Sequence, residues 1–201
     1  MTLSSMPAPK RITASHLPLD RSGAAEPHTE PAVEVVVDVL LGPEPILGGS
    51  LARSRVASNN GVPTSNDGSG PIALDEVPDS GIVLPGGLNL HYLGLAPNTE
   101  GAMHRTTSTD YLVVLNGTLS LMIPSRHFGI KDGYGEPAET LCHTGEIVIQ
   151  RGMMHALSNR TDQWVRLFSV VAASEANRVP VTERHSLRRD SFAMLADAWL
   201  P

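Results

Sequence analysis

Two histidines and one carboxylate stand at spacings that let them meet. His104 and Asp110 lie in Gly101-Ala-Met-His-Arg-Thr-Thr-Ser-Thr-Asp-Tyr-Leu-Val-Val-Leu-Asn-Gly117, and His155 lies in Gly145-Glu-Ile-Val-Ile-Gln-Arg-Gly-Met-Met-His-Ala-Leu-Ser-Asn159. In both stretches a histidine sits beside an alternating apolar run bounded by glycine, the pattern of half-buried strands joined by turns. Alternate side chains of a strand in a closed barrel point inward, so the two stretches can aim His104, Asp110 and His155 into one cavity. Two imidazoles and a carboxylate suit a divalent transition ion with open positions. Without an ion, the same histidines are proton donors and acceptors. Both readings stay open at this point.

Other groups are candidates to line that cavity. Arg151 falls in the turn before His155, where a guanidinium can grip a carboxylate or enolate, and Gln150 can do so more weakly. His91 sits on a neighbouring strand, and Met122 and Met154 offer an adaptable apolar lining. Arg105 alternates away from His104 and is expected to pair with acidic groups on the outside. The single cysteine, Cys142, excludes an intramolecular disulfide framework and reads as a small apolar strand residue.

The elements that must position these residues are strands. Val33 to Leu41 alternates, with Val33, Val35, Val37, Val39 and Leu41 on one face, and is expected to form barrel wall. Leu88 to Leu95 is a second strand, with Asn89, His91, Leu93 and Leu95 sharing a face. Asn116-Gly117 is a hairpin signal between Tyr111–Asn116 and Thr118–Pro124, and Gln163 to Ala173 supplies a closing strand. Residues 1–31 read as an amino-terminal arm, 32–175 as the barrel, and 176–201 as a tail. Inside the barrel region, 42–70 is dense in Gly, Pro and Asn and is expected to be a flexible insertion. In the tail, Phe192, Leu195, Ala196 and Trp199 recur at helical spacing and predict a short amphipathic helix.

A chain of 201 residues, 41% hydrophobic, is long enough for one sizeable core. A formal charge of −6 offers neither a basic stripe for nucleic acid nor a polybasic patch for a membrane. With no signal-peptide pattern and no apolar run of membrane-spanning length, the expectation is a soluble cytoplasmic protein. Its partners are then a small-molecule substrate and a second copy of itself.

The paired stretches resemble the cupin family. Its first motif, G-x5-H-x-H-x(3,4)-E-x6-G, is met by His104, by Asp110 in the glutamate place and by Gly117, with Thr106 where a second histidine is usual. Its second, G-x5-P-x-G-x2-H-x3-N, is met by Gly145, Gly152, His155 and Asn159, with Gln150 in the proline place. The wording His-Arg-Thr-x-Ser-x-Asp-Tyr with Gln-Arg-Gly-x-x-His is similar to a cupin subgroup of fungal biosynthetic clusters. The resemblance implies an all-β fold, a single jelly-roll β-barrel, and a divalent metal (Fe, Mn, Zn or Ni) on His104, Asp110 and His155. Loss of a ligand to Thr106 leaves a metal-free pocket equally open. The reaction implied is that of a lyase or isomerase in polyketide-type secondary metabolism: dehydration, decarboxylation or a proton shift on a carbonyl-bearing intermediate. His104, His155, Asp110 and Arg151 would carry it, and His91, Gln150, Met122 and Met154 would bind the substrate. An Fe(II)-dependent oxygenase and a non-catalytic binding module are the alternatives.

Overall fold

The computed structural model describes residues 10–18, 30–66, 69–78, 81–181 and 192–200. Its strands, in chain order, are β1 (Lys10–His16), β2 (Val33–Val39), β3 (Glu44–Ile46), β4 (Leu51–Asn59) and β5 (Leu88–Leu95). Then follow β6 (His104–Arg105), β7 (Ser108–Asn116), β8 (Thr118–Pro124), β9 (Pro137–His143) and β10 (Ile147–Arg151). The last five are β11 (Ala156–Ser158), β12 (Val165–Ala173), β13 (Asn177–Pro180), β14 (Phe192–Leu195) and β15 (Ala198–Trp199). Leu47–Gly49 forms a 3₁₀ turn, and among the described residues no helix is long and apolar enough to cross a membrane.

Six strands form one wall in the order β10-β7-β12-β5-β4-β3. The opposite wall is β11-β8-β9, extended by β6 and β15 through the bridge His104↔His155. Two facing walls with strands passing between them make the jelly-roll barrel that the alternating runs predict. Side chains directly opposite on antiparallel strands share a face, so the register of the large wall fixes what lines the interior. One row across it reads Gln150, Asp110, Val171, Asn89, Ser58, and the next reads Val148, Leu112, Ser169, His91, Arg55. A third carries Val114, Leu167, Leu93 and Arg53. One end of the interior is a dry core of Leu93, Leu95, Val114, Leu119, Cys142, Val165 and Leu167. Burial raises the Cys142 thiol pKa there, which suits a packing residue.

Motif residues outside the interior are structural. Gly117 turns β7 into β8 at φ +87°, a left-handed conformation that glycine adopts without strain. Gly101 lies so close to β11 that a Cβ would collide with the Leu157 carbonyl oxygen. Asn159 is fully buried, with Nδ2 2.7 Å from Gln163 O and within 3.1 Å of Leu95 O and Ala96 O. Its Oδ1 accepts from Thr161 N–H and Oγ1–H. The motif asparagine therefore ties its own loop, 159–163, to the end of β5.

Three expectations need correction. The insertion expected at 42–70 contains β3 and β4, and β4 pairs with β5 along nearly its whole length. Glycine and proline flank a strand here instead of replacing it. The valine face of β2 is not barrel wall. β2 pairs only with β1, as a two-stranded ribbon, and Val33, Val35, Val37 and Val39 are exposed. The acidic face turns inward, because Asp38 pairs with Arg11 (3.0 Å) and Glu34 accepts from the Gly70 amide. Of the expected arm, Lys10–His16 is thus strand β1, and 1–9 and 19–29 lie outside the described residues. Finally, the expected carboxy-terminal helix is two strands: β14 pairs with β13 and β15 with β6.

Candidate active site

A cavity of about 310 Å³ opens between the two walls. Leu51, Leu93, Leu95, Leu112, Leu157 and Val171 line it, and the polar groups reaching it include Arg53, His104, Thr106, Asp110, Gln150, His155 and Ser169. A mostly apolar lining with a few placed polar groups is the composition of a small-molecule site.

His104 and His155 are brought together by backbone pairing. His104 N–H donates to His155 O (2.8 Å) and His155 N–H to His104 O (2.9 Å), so both side chains leave on one face. Their rings lie 4.4 Å apart between centroids. Nδ1 of His104 is 2.8 Å from Ala102 O, and Nδ1 of His155 is 2.9 Å from Met153 O. A carbonyl only accepts, so each Nδ1 carries the proton and each Nε2 keeps its lone pair. Burial lowers both pKa values. For His155, burial and then the neighbouring His104 bring it to about 4. The site thus holds two neutral imidazoles of defined tautomer.

Asp110 is tied elsewhere. Ser108 Oγ–H donates to its Oδ1 (2.7 Å), and Thr106 Oγ1 is 2.9 Å from Ser108 Oγ. Where the family motif has a second histidine, this chain has a hydroxyl relay that ends on the carboxylate. Burial raises the Asp110 pKa, and the Ser108 bond partly offsets it. Among the described residues no three His, Cys, Asp or Glu side chains gather closely enough to hold a metal ion. The set His104, Asp110, His155 is therefore not a ready ligand set, and the two imidazoles offer only two nitrogen donors.

The other sequence candidates divide. Gln150 is 2% exposed and lines the cavity beside Asp110, its partner across β7 and β10. Arg151, the next residue, points the other way and is exposed, because the strand continues through it and no turn begins there. Met122 and Met154 lie outside the cavity, in a second core with Met103, Ala156 and Leu200. His91 is buried on the inner face of β5 but does not reach the cavity. Burial, then Arg53 and Arg55, lower its pKa to about 4. Arg105 is buried, and its Nε and Nη2 donate to Ala196 O (2.9 and 2.7 Å), a backbone carbonyl instead of the acidic groups expected.

Three cavity residues escape the sequence reading. Trp199 lines the cavity and stacks on His104, rings parallel to within 7° and 4.1 Å apart. It arrives on β15, held by Leu200 N–H to Met103 O (2.8 Å). Arg53 comes from β4 and Ser169 from β12. The signal for Arg53 was present: Leu51-Ala-Arg-Ser-Arg55 alternates, and Leu51, Arg53 and Arg55 fall on one face.

The jelly-roll barrel, the two motifs and the facing histidines resemble those of the cupins, and between the walls lies a cavity of small-molecule size. No family model matches the chain. Among curated proteins it is similar to phomopsin biosynthesis cluster protein D of Diaporthe leptostromiformis, 37% identical over 91 residues, which are 45% of this chain and 42% of that protein. It is also similar to the cupin-domain-containing oxidoreductase fogC of Aspergillus ruber, 28% identical over 116 residues, 57% of this chain and 52% of that protein. The chain thus spans about half the length of the curated relatives it matches. Among solved structures, the plu4264 protein of Photorhabdus luminescens aligns with a TM-score of 0.38 at 13% identity, over 61% of this chain and 75% of that one. An oxalate oxidase aligns with a TM-score of 0.34 at 20% identity, over 44% and 45%.

Proposed function

We propose that this cupin is a lyase or isomerase of secondary metabolism that moves a proton within a carbonyl-bearing small molecule. The observation that carries the reading is the imidazole pair, both Nδ1 fixed on carbonyl oxygens and both rings lining a mostly apolar cavity. One neutral Nε2 takes the proton from the carbon next to the carbonyl, and the electron pair moves to the carbonyl oxygen as an enolate. The resulting imidazolium returns the proton to another carbon in an isomerisation, or to a departing β-hydroxyl in a dehydration. Because burial disfavours charge on either ring, the imidazolium gives up its proton more readily than an exposed one. The biosynthetic setting is supported by the two phomopsin-cluster relatives.

The test is incubation of β-hydroxy-carbonyl candidates in deuterium oxide, followed by mass spectrometry. Deuterium next to the carbonyl, or loss of water, that disappears in His155→Ala is the expected result; no exchange in any candidate leaves a binding module. An oxidoreductase is the second reading, favoured by the similarity to fogC. Oxygen uptake that tracks substrate consumption would select it. We also propose a homodimer, because the exposed valine face of β2 needs a cover.

A further inference from the structure

The large wall of the cavity, through β4, β12 and β10, holds polar atoms that the protein itself leaves unmatched. Gln150 has neither an acceptor for Nε2–H nor a donor for Oε1, and Ser169 Oγ has no partner, although the two side chains are 2% and 1% exposed. Arg53 Nε–H is likewise buried without an acceptor. Buried polar groups left unpaired are costly and call for a partner. All three residues line the cavity. The other nitrogens of Arg53 are weakly engaged, Nη1 with Gly81 O at 3.3 Å and Nη2 with the exposed carboxylate of Glu44 at 3.7 Å.

Building on the proposed proton chemistry at the same cavity, we infer that the substrate carries a carboxylate, which Arg53 receives with Ser169 as a further donor, while Gln150 at the far edge of the wall is left for another polar group of the same molecule. A guanidinium fork matches the two oxygens of a carboxylate. The charge balance limits the ligand to one negative charge. Arg53 is the cation of the lining and Asp110 shares the cavity, while Glu100 is paired with Arg160 at 2.8 Å, so a phosphate dianion would meet repulsion from Asp110 that a monoanion largely avoids. The remainder of the lining is apolar, so the carboxylate is carried on an unsaturated or aliphatic frame. That frame lies between Arg53 on one wall and the histidines on the other.

The experiment is calorimetric titration of the purified protein with cinnamate and with cinnamamide, which share a shape and differ in charge. Wild type should bind cinnamate about 10- to 100-fold more tightly, the range for hydrogen bonds to a charged group. Arg53→Gln should bring the two affinities together by weakening cinnamate alone, and Ser169→Ala should weaken cinnamate several-fold in a fold left intact. Equal affinity of wild type for both probes, or no cinnamate binding at millimolar concentration, overturns the inference without any variant being needed. So does an Arg53→Gln protein, folded by near-UV circular dichroism, that keeps the preference. His104→Ala should retain the preference. If wild type shows the preference while it gives no deuterium exchange with any candidate, the proton chemistry fails and the carboxylate site stands.

Discussion

His155 keeps its lone pair over an unusually wide range of pH. Burial, then the adjacent His104, hold its pKa at about 4, well below the ordinary value of 6.5. A base in that state is lost only when it protonates, so the acid limb of the kcat/KM profile should fall near pH 4, and a limb near 6.5 would contradict the assignment. His104→Ala and His155→Ala should each lower turnover by about 10²–10⁴-fold with far-UV spectra unchanged, since the pairing of the two residues runs through backbone hydrogen bonds that the substitutions keep. Asp110→Asn should cost less, because the carboxylate is tied to Ser108 and not to either histidine. At this scale the motif residues were legible: His104, Asp110, Gln150 and His155 all reach the cavity. Arg151 was not, because its position depends on where β10 ends, and strand ends are set by pairing that spacing does not encode.

The carboxy-terminal segment shows how one pattern serves two structures. Phe192, Leu195, Ala196 and Trp199 fit a helical face, yet the buried guanidinium of Arg105 takes the Ala196 carbonyl through two nitrogens. Asp197 accepts from Thr107 Oγ1–H at 2.6 Å. Those contacts engage the Ala196 carbonyl and the Asp197 side chain, and tertiary bonding overrides a weak helix preference. Long alternating runs such as Leu88 to Leu95 and Val165 to Ala173 were legible because burial on one face demands their period. Leu51 to Asn59 was not, since proline and glycine on both sides outweighed five alternating residues. Arg105→Met should lower unfolding free energy by about 1.5–3 kcal/mol, the worth of hydrogen bonds from a charged donor, in urea titration. Trp199→Ala should cost little stability, being 55% exposed. It should nevertheless lower kcat/KM about tenfold or more, because His104 loses the ring that fixes its plane.

At the scale of the molecule, the β1–β2 ribbon and the buried histidines set two bulk properties. A two-stranded ribbon is marginal alone, and Ile12 joins the valines on its exposed face. Light scattering should therefore give a dimer at micromolar concentration, and Val35→Lys with Val37→Glu should give a monomer; a monomeric wild type removes the proposal. The pH dependence of stability follows from His91 and His155, both near pKa 4 when folded. The unfolded chain protonates these rings below about pH 6.5, and the folded one refuses until about 4. Between those values the unfolded state binds more protons, so stability is full above about 6.5 and falls as the pH drops toward 4. Each ring contributes on the order of 3 kcal/mol at the limit of that window. Asp110 acts in the opposite sense above about pH 3.8, its raised pKa favouring the folded state at low pH. One carboxyl does not cancel two imidazoles, so the net slope stays positive. His91→Gln removes one of the buried rings of lowered pKa without touching the cavity. In urea titrations at pH 7, 6, 5 and 4.5 it should reduce the slope of unfolding free energy against pH by up to about one proton. A slope unchanged by His91→Gln would mean that His91 titrates normally in the fold, and that the guanidiniums of Arg53 and Arg55 do not press on it.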